Sequence, residues 1–421
     1  MSRTDYDRSP VEQDLVFDWN LEQGMEHPSG RRVEFNDESL RDGLQSPSII
    51  DPPITDKLRM LHLMEALSID GADIGLPGAG PRAYADALRL AQEISSQRMR
   101  IFPNCAARTV VADIAPIAEI SQKAGLPIQV ATFIGSSPIR QYAEDWDLGS
   151  MLRRSEEAIG FAVRESLPVM FVTEDTTRAR PETLKTLYGA AIAAGASRLC
   201  LCDTVGHATP EGAANLVRFV RDEIVAPLGR DLPLDWHGHR DRGLALSNAI
   251  AAWEAGASRL HGTALGIGER VGNCELELLL VHFKLIGVNQ SNLERLVEYV
   301  ETAARACGVP IPVGTPVVGA DAFRTATGVH AAAIIKAMKK GDRWLADSVY
   351  SGVPASLVGR EQIIEIGPMS GESNAVYWLS RRGIQPTPER VKAIMERAKQ
   401  SSRILTDEQV HQSIAASGVV S

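Results

Sequence analysis

The sequence uses cysteine sparingly and without a framework. Cys105, Cys200, Cys202, Cys274 and Cys307 are the only five in 421 residues, and no two form a CxxC pair. That spacing argues against a disulfide scaffold and against a cysteine zinc site. Cys200 and Cys202 alternate with Leu199 and Leu201, the period of a strand rather than of a metal pair. Positive charge is also scarce. The net charge is −9 and no basic stripe offsets it, which argues against nucleic acid and anionic membranes as partners. No uninterrupted apolar run is long enough to span a bilayer. The start, residues 1–26, is polar and acidic and lacks the apolar core of a signal peptide, so a soluble, cytoplasmic protein is expected. Finally, no glycine-rich phosphate loop follows the first expected strand, which disfavours an open doubly wound sheet.

What is present is a core-building composition, 44% hydrophobic and 23% charged. β-Branched apolar runs recur at 32–36, 72–76, 100–104, 128–134, 169–173, 198–202, 234–239 and 259–263. Between them lie helical segments at 56–67, 82–95, 110–124, 151–165, 181–194, 209–224 and 244–255. Several of these segments stop at Ala-Gly, as at Gly125, Gly195 and Gly256, the pattern of a left-handed helix terminus. Eight such alternations predict an α/β fold, a (β/α)8 TIM barrel with a closed parallel sheet. The expected organisation is a polar N-terminal segment (1–30), the barrel (31–290) and a smaller, mostly helical C-terminal extension (291–421). In that extension a helical stretch, 293–307, runs into Pro310, Pro312 and Pro316, which cannot continue a helix. A lid or dimerisation module is its natural role.

Active sites of such barrels lie at the C-terminal ends of the strands. Polar residues collect at those ends: Arg41 and Asp42, Asp73, Thr132, Glu174 and Asp175, Asp203 and Thr204, His237 and His239. A glycine-rich segment, Gly266 to Asn273, follows the eighth strand. His237 and His239, at i and i+2 on a strand, point to one side. Strands seven, eight and one are neighbours in a closed barrel, so His237, His239, Asn273 and Asp42 can converge. Two imidazoles and two oxygens make a divalent-cation set, beside the fixed charge of Arg41. Each piece alone is weak. A lone His-x-His is often incidental, Arg41–Asp42 could be a surface pair, Glu174-Asp175 could be a helix cap, and the glycine run could be a turn. Their placement at one barrel face carries the argument.

Together, Ser39-Leu40-Arg41-Asp42-Gly43-Leu44-Gln45, Asp203-Thr204-Val205-Gly206, His237-Gly238-His239 and the Gly266–Asn273 segment resemble the DRE-TIM metallolyase superfamily. Within it the chain is most similar to the 2-isopropylmalate, homocitrate and citramalate synthase group, with a pyruvate carboxyltransferase domain, over about residues 31–375. The resemblance implies an acyltransferase of amino-acid biosynthesis that condenses acetyl-CoA with a 2-oxo acid and hydrolyses the thioester. It implies a divalent metal (Mg, Mn or Zn, with Co also tolerated) held by Asp42, His237, His239 and Asn273, with Arg41 beside the substrate oxygen. Gln45, Asp73, Thr132, Asp203 and Thr204 are the candidate substrate-binding residues. His330, in Gly328-Val329-His330, matches the base of the extension, with Glu174 as its partner and Tyr350 as a second candidate. In the family the extension reaches a neighbouring subunit, which implies a homodimer.

A C–C lyase or aldolase of the 3-hydroxy-3-methylglutaryl-CoA lyase type shares Arg41-Asp42-Gly43-Leu44-Gln45. Such lyases carry a Gly-Cys-Pro loop after strand eight and lack the extension, so the synthase is favoured. A barrel that binds a metabolite without turnover is the third reading. The chain departs from common synthases at Leu44 and Asp73 (Glu in those enzymes), Ala131 and Arg140 (His), and Arg240 (Asn). Leu44 and Ala131 remove polar groups, so a 2-oxo acid or acyl partner different from the standard ones is expected; efficient turnover of 2-oxoisovalerate would refute this. No regulatory domain follows the extension in this sequence, so leucine inhibition through one is not expected.

Overall fold

The computed structural model describes residues 15–17, 19–20 and 31–416. Apart from those five early residues, the polar segment expected over 1–30 lies outside the described residues. Eight parallel strands close into a barrel in chain order: β1 (Glu34–Asp37), β2 (Gly71–Asp73), β3 (Phe102–Arg108), β4 (Gln129–Gly135), β5 (Val169–Glu174), β6 (Arg198–Asp203), β7 (Leu234–Gly238) and β8 (Arg259–Gly262). The ring shuts where β8 pairs with β1, Asn36 opposite His261 and Asp37 opposite Gly262. Helices follow the strands at the expected places, with small shifts at their ends. Gly125 and Gly195 adopt the left-handed conformation that only a residue without a Cβ takes freely, and there the helices Val111–Ala124 and Pro181–Ala194 end. The helix Pro210–Val220 passes into a π-helical turn, Arg221–Val225, where one continuous helix was expected. A short helix, Pro138–Glu144, had no periodic signal of its own.

Side-chain parity divides the barrel. Outward residues such as Trp236 and Leu260 are buried beneath the helices, where Trp253 and Phe283 pack edge to face with centroids 4.9 Å apart. Inward residues are of two kinds. On β3 to β6 they include Ala106, Ala131, Met170, Cys200 and Cys202. On β7 and β8 they are Asp235, His237, Arg259 and His261, all buried and charged or polar. All five cysteines are buried free thiols.

The chain divides into two compact units. The first runs to Asn292 and takes in Glu298–Pro310; the second is Leu293–Val297 with the chain from Ile311 onward. Most of the helix Leu296–Cys307 therefore belongs with the barrel, which it serves through Tyr299 (below). The second unit is mainly helical, with one small parallel pair, β9 (Arg324–Thr325) and β10 (Ile363–Ile364). Its core gathers Trp378, Leu379, Ile394 and Val410 from the helices Glu372–Arg381, Pro388–Gln400 and Asp407–Ala416, with Ile366 from the chain before them and Leu405 from the last link between them. Among the described residues, no helix is long and apolar enough to cross a membrane.

Candidate active site

The turn after β1 is built by the side chains it leaves behind. Asp37 accepts from Ser39 N at 2.7 Å and from the Tyr299 hydroxyl. Ser39 Oγ lies 3.1 Å from that hydroxyl and accepts from Ala264 N at 2.8 Å, which ties the turn to the loop after β8. Burial raises the Asp37 carboxyl to about 6 against the pull of the Tyr299 and Ser39 hydrogen bonds. Arg41 and Asp42 then leave the turn toward the barrel axis.

The loop after β8 doubles back. Arg240 N donates to Gly272 O at 3.0 Å and Cys274 N to Gly238 O at 3.1 Å, which sets His239 opposite Asn273 in an antiparallel bridge. The reversal needs its glycines. A Cβ on Gly268 would run into the Asn273 amide and one on Gly272 into the Gly266 carbonyl, and both take positive φ. Arg240 holds the same loop through Val271 O at 2.7 Å and Glu275 at 2.5 Å. The arginine that stands where synthases commonly carry Asn therefore has a structural task here.

This folding brings the four expected ligands together. Donor atoms of Asp42, His237 and His239 all lie within 4.8 Å of one another. His237 Nε2 is 3.2 Å from His239 Nε2, and His239 Nε2 is 3.8 Å from Asp42 Oδ2. Asn273 Nδ2 donates to Asp42 Oδ2 at 2.7 Å and to Ile267 O at 3.0 Å, leaving its Oδ1 buried without a partner among the described residues. Two facing imidazole nitrogens and a carboxylate, with the Asn273 amide against that carboxylate and its oxygen unpaired, are a donor set that fits a divalent cation. Neighbouring ligand atoms about 2.1 Å from one ion sit roughly 3 Å apart, close to the imidazole separation.

Electrostatics here are dominated by mutual charge. Burial pushes Asp42 up, but Arg41 and His237 outweigh it and hold the carboxyl below its usual range. Burial likewise opposes charge on His237, yet the Glu38 carboxylate raises it to about 9. His239 moves the other way, lowered to about 4 by burial and by His237. Arg41 is fixed by Asp73 at 2.7 Å, Asp42 at 2.7 Å and Glu38 at 3.4 Å. Asp73, expected to bind substrate, thus spends its carboxylate on Arg41 Nε and on Gly75 N.

These groups face a cavity of about 290 Å³. One side carries Arg41, Asp42, His237, His239 and Glu269; the other is walled by Ala106, Ala131, Phe133, Met170 and Val172. Gln45, Glu174 and Thr204 also line it. Glu174 is raised by burial, with Arg140 and Arg41 pulling the other way. Two expected residues are placed elsewhere. Thr132 lies on the opposite face of β4 from Ala131 and Phe133, where it donates to Thr109 Oγ1 at 3.1 Å. Asp203 is buried and organises its own loop, accepting from His207 N at 2.8 Å and Thr177 Oγ1 at 2.9 Å. His330 and Tyr350 belong to the second unit, where their rings stack with centroids 4.1 Å apart and both are exposed.

Sequence reasoning missed Glu38 and His261. Glu38 Oε2 is 2.6 Å from His237 Nδ1 and Oε1 is 2.9 Å from His261 Nδ1. The signal for His261 was available in the period-two pairs Asp235-x-His237 and Arg259-x-His261 on adjacent strands.

The HMGL-like family model matches residues 32–302, most of the barrel unit. The chain belongs to the HMGL-like family. This is the DRE-TIM group that the sequence motifs resemble. A 2-isopropylmalate synthase of Lactococcus lactis subsp. cremoris is 30% identical over 90% of this chain and 73% of its own. A homocitrate synthase of Methanopyrus kandleri is 31% identical over 86% of each chain. Among solved structures, the hydroxymethylglutaryl-CoA lyase of Pseudomonas aeruginosa superposes with a TM-score of 0.56 at 20% identity, covering 65% of this chain and 93% of that one, a likeness of fold. The HMGL-like barrel here continues into the helical second unit, and the synthase relatives match across about nine-tenths of the chain.

Proposed function

We propose that this HMGL-like protein catalyses a divalent-metal-dependent Claisen condensation of acetyl-CoA with a 2-oxo acid whose side chain is apolar. The observation that carries the reading is the constellation of Asp42, His237, His239 and Asn273 beside Arg41, facing a cavity whose far wall is Ala106, Ala131, Phe133, Met170 and Val172. Synthase relatives at about 30% identity support the reaction class. The two imidazoles, the Asp42 carboxylate and the Asn273 oxygen would hold the cation, Mg, Mn or Zn. When bound, it supplies Lewis acidity toward the substrate ketone.

The rest is done by this chain's own side chains. Arg41, pinned by two carboxylates at 2.7 Å, offers its guanidinium to the negative charge that develops on the keto oxygen. The proposed base, His330, takes a proton from the acetyl methyl group, and the methyl carbon bonds to the keto carbon. Glu174, whose carboxyl burial raises above its usual range, is its proposed partner, with Tyr350 as the second candidate. The alkoxide picks up a proton to become a hydroxyl. Water then cleaves the thioester, leaving a carboxylate and free CoA thiol. The homodimer and a cytoplasmic location are part of the same proposal. The apolar wall offers no counter-charge to a distal carboxylate, which favours apolar over acidic 2-oxo acids.

The test is thiol release from acetyl-CoA with Mg²⁺ or Mn²⁺ across glyoxylate, pyruvate, 2-oxobutyrate, 2-oxoisovalerate, 2-oxoglutarate and larger apolar 2-oxo acids. Release that favours an apolar acid, and that is lost in Asp42→Ala and in His330→Ala, is the expected result. Preference for 2-oxoglutarate would overturn the apolar assignment. Cleavage of a 3-hydroxy acyl-CoA without thiol release would replace the synthase with a lyase.

A further inference from the structure

We infer that Glu38 is a positioning residue that sets the tautomer and orientation of His237, and that His261 and Asp235 hold Glu38 in place. The inference rests on the metal reading above and concerns residues that reading did not use.

His237 has two ring nitrogens with different neighbours. Nε2 faces His239 at 3.2 Å and belongs to the Asp42 cluster. Nδ1 lies 2.6 Å from Glu38 Oε2. A carboxylate only accepts, so in the neutral ring the Nδ1 position carries the proton and Nε2 is left with the lone pair a cation needs. A carboxylate behind a ligating imidazole also fixes the ring and raises its basicity. His239 has no such support, since its Nδ1 is buried without a partner among the described residues. The two imidazoles are therefore unequal, and the orientation of the pair depends on Glu38.

Glu38 is itself held. Its Oε1 accepts from His261 Nδ1 at 2.9 Å and lies 3.4 Å from Arg41 Nη2, so one carboxylate braces both the His237 ring and the Arg41 guanidinium. His261 Nε2 lies 2.9 Å from Asp235 Oδ2. With a carboxylate on each nitrogen, the ring donates from both. Asp235 is clasped in turn by Arg198 Nη1 at 2.6 Å and Arg259 Nε at 2.7 Å. The result is a buried column of alternating charge from the lower barrel to His237. Glu38, His237 and His261 could in principle be a second cation set. Their facing atoms, however, are already paired at 2.6 and 2.9 Å, inside the roughly 3 Å that two ligands of one ion keep.

The experiment is Mn²⁺ titration of chelator-treated full-length protein followed by electron paramagnetic resonance. It is paired with ¹⁵N NMR of the histidine rings in the metal-free protein. Expected are one Mn²⁺ per chain, His237 protonated at Nδ1, and affinity weaker by roughly 10–100-fold in Glu38→Gln, with Glu38→Asp in between. His261→Asn, which loosens Glu38 without removing it, should weaken binding in the same direction and serves if Glu38→Gln fails to fold. Unchanged affinity in a folded Glu38→Gln or His261→Asn variant, or two Mn²⁺ per chain, would overturn the inference. If the wild-type protein bound no Mn²⁺, the metal reading would fall. The tautomer spectrum of the neutral ring would still decide the role of Glu38, and a neutral His237 carrying its proton on Nε2 instead of Nδ1 would refute it.

Discussion

The Asn273 amide donates to the Asp42 carboxylate at 2.7 Å while its own oxygen is buried and unpaired among the described residues. A buried acceptor left unpaired next to the Asp42 carboxylate is available to a ligand. Replacing Asn273 by Ala should therefore weaken Mn²⁺ binding by more than the roughly 10–100-fold expected of outer-shell changes. Replacement by Asp should retain binding. Equal Mn²⁺ affinity in wild type and Asn273→Ala would remove the residue from the ligand set.

Arg41 is held by three carboxylates, Asp73 on Nε, Asp42 on Nη1 and Glu38 on Nη2, a fork that a lysine ammonium cannot reproduce. Arg41→Lys should lower kcat by roughly 10²–10³-fold, with a smaller effect on KM. A variant that changed KM alone would assign Arg41 to ground-state binding.

Ala131 sits on the apolar wall, packed with Met170, Cys200 and Cys202. Ala131→Leu should shrink the cavity and cost the larger 2-oxo acids roughly tenfold or more in kcat/KM relative to pyruvate. An unchanged ranking across the panel would place the substrate side chain elsewhere.

Glu277 Oε2 accepts from Leu265 N at 3.1 Å, while Oε1 is buried without a partner among the described residues. Burial raises its carboxyl from 4.5 to about 8. Between those values the folded chain holds a proton that the unfolded chain has released, so stability falls as pH rises. Glu277→Gln keeps an acceptor and cannot ionise. It should match wild type near pH 4 and exceed it at pH 8–9 by up to about 4 kcal/mol in denaturant unfolding. Parallel stability curves across that range would contradict the assignment.

Asp235 is buried among Arg198, Arg259 and His261. Burial opposes its charge, but Arg259 and Arg198 prevail and hold the carboxyl well below its usual range. Its contribution is present above the unfolded value of 3.8 and is lost as pH falls below it. Asp235→Ala leaves buried Arg259 without a carboxylate and takes one of two from Arg198 and His261, and should destabilise the barrel by about 3–5 kcal/mol at neutral pH. A loss under about 1 kcal/mol would mean that the column carries no structural weight.

The amino-acid order alone determined the barrel. Strand and helix periods are local, set by side-chain alternation and by glycine stops such as Gly125 and Gly195, and all eight strands fall within a few residues of where those signals put them. Closure followed from the count, because eight alternating units leave strands one and eight as neighbours. On that basis His237, His239, Asp42 and Asn273 could be grouped before any contact was known. Other roles depended on which face a side chain takes and what it meets there. Thr132 is one residue out of phase with the cavity wall, so parity turns it toward Thr109. Asp73 and Asp203 sit at strand ends like substrate binders, yet the nearest strong donors, Arg41 and the backbone of their own loop, claim them first. Glu38 and His261 lie more than two hundred residues apart, and only the β8–β1 closure puts their side chains in contact. Local pattern encodes periodicity and turn chemistry. Which buried charge finds which partner is decided by packing, where each ionised group must be paired or cease to be charged.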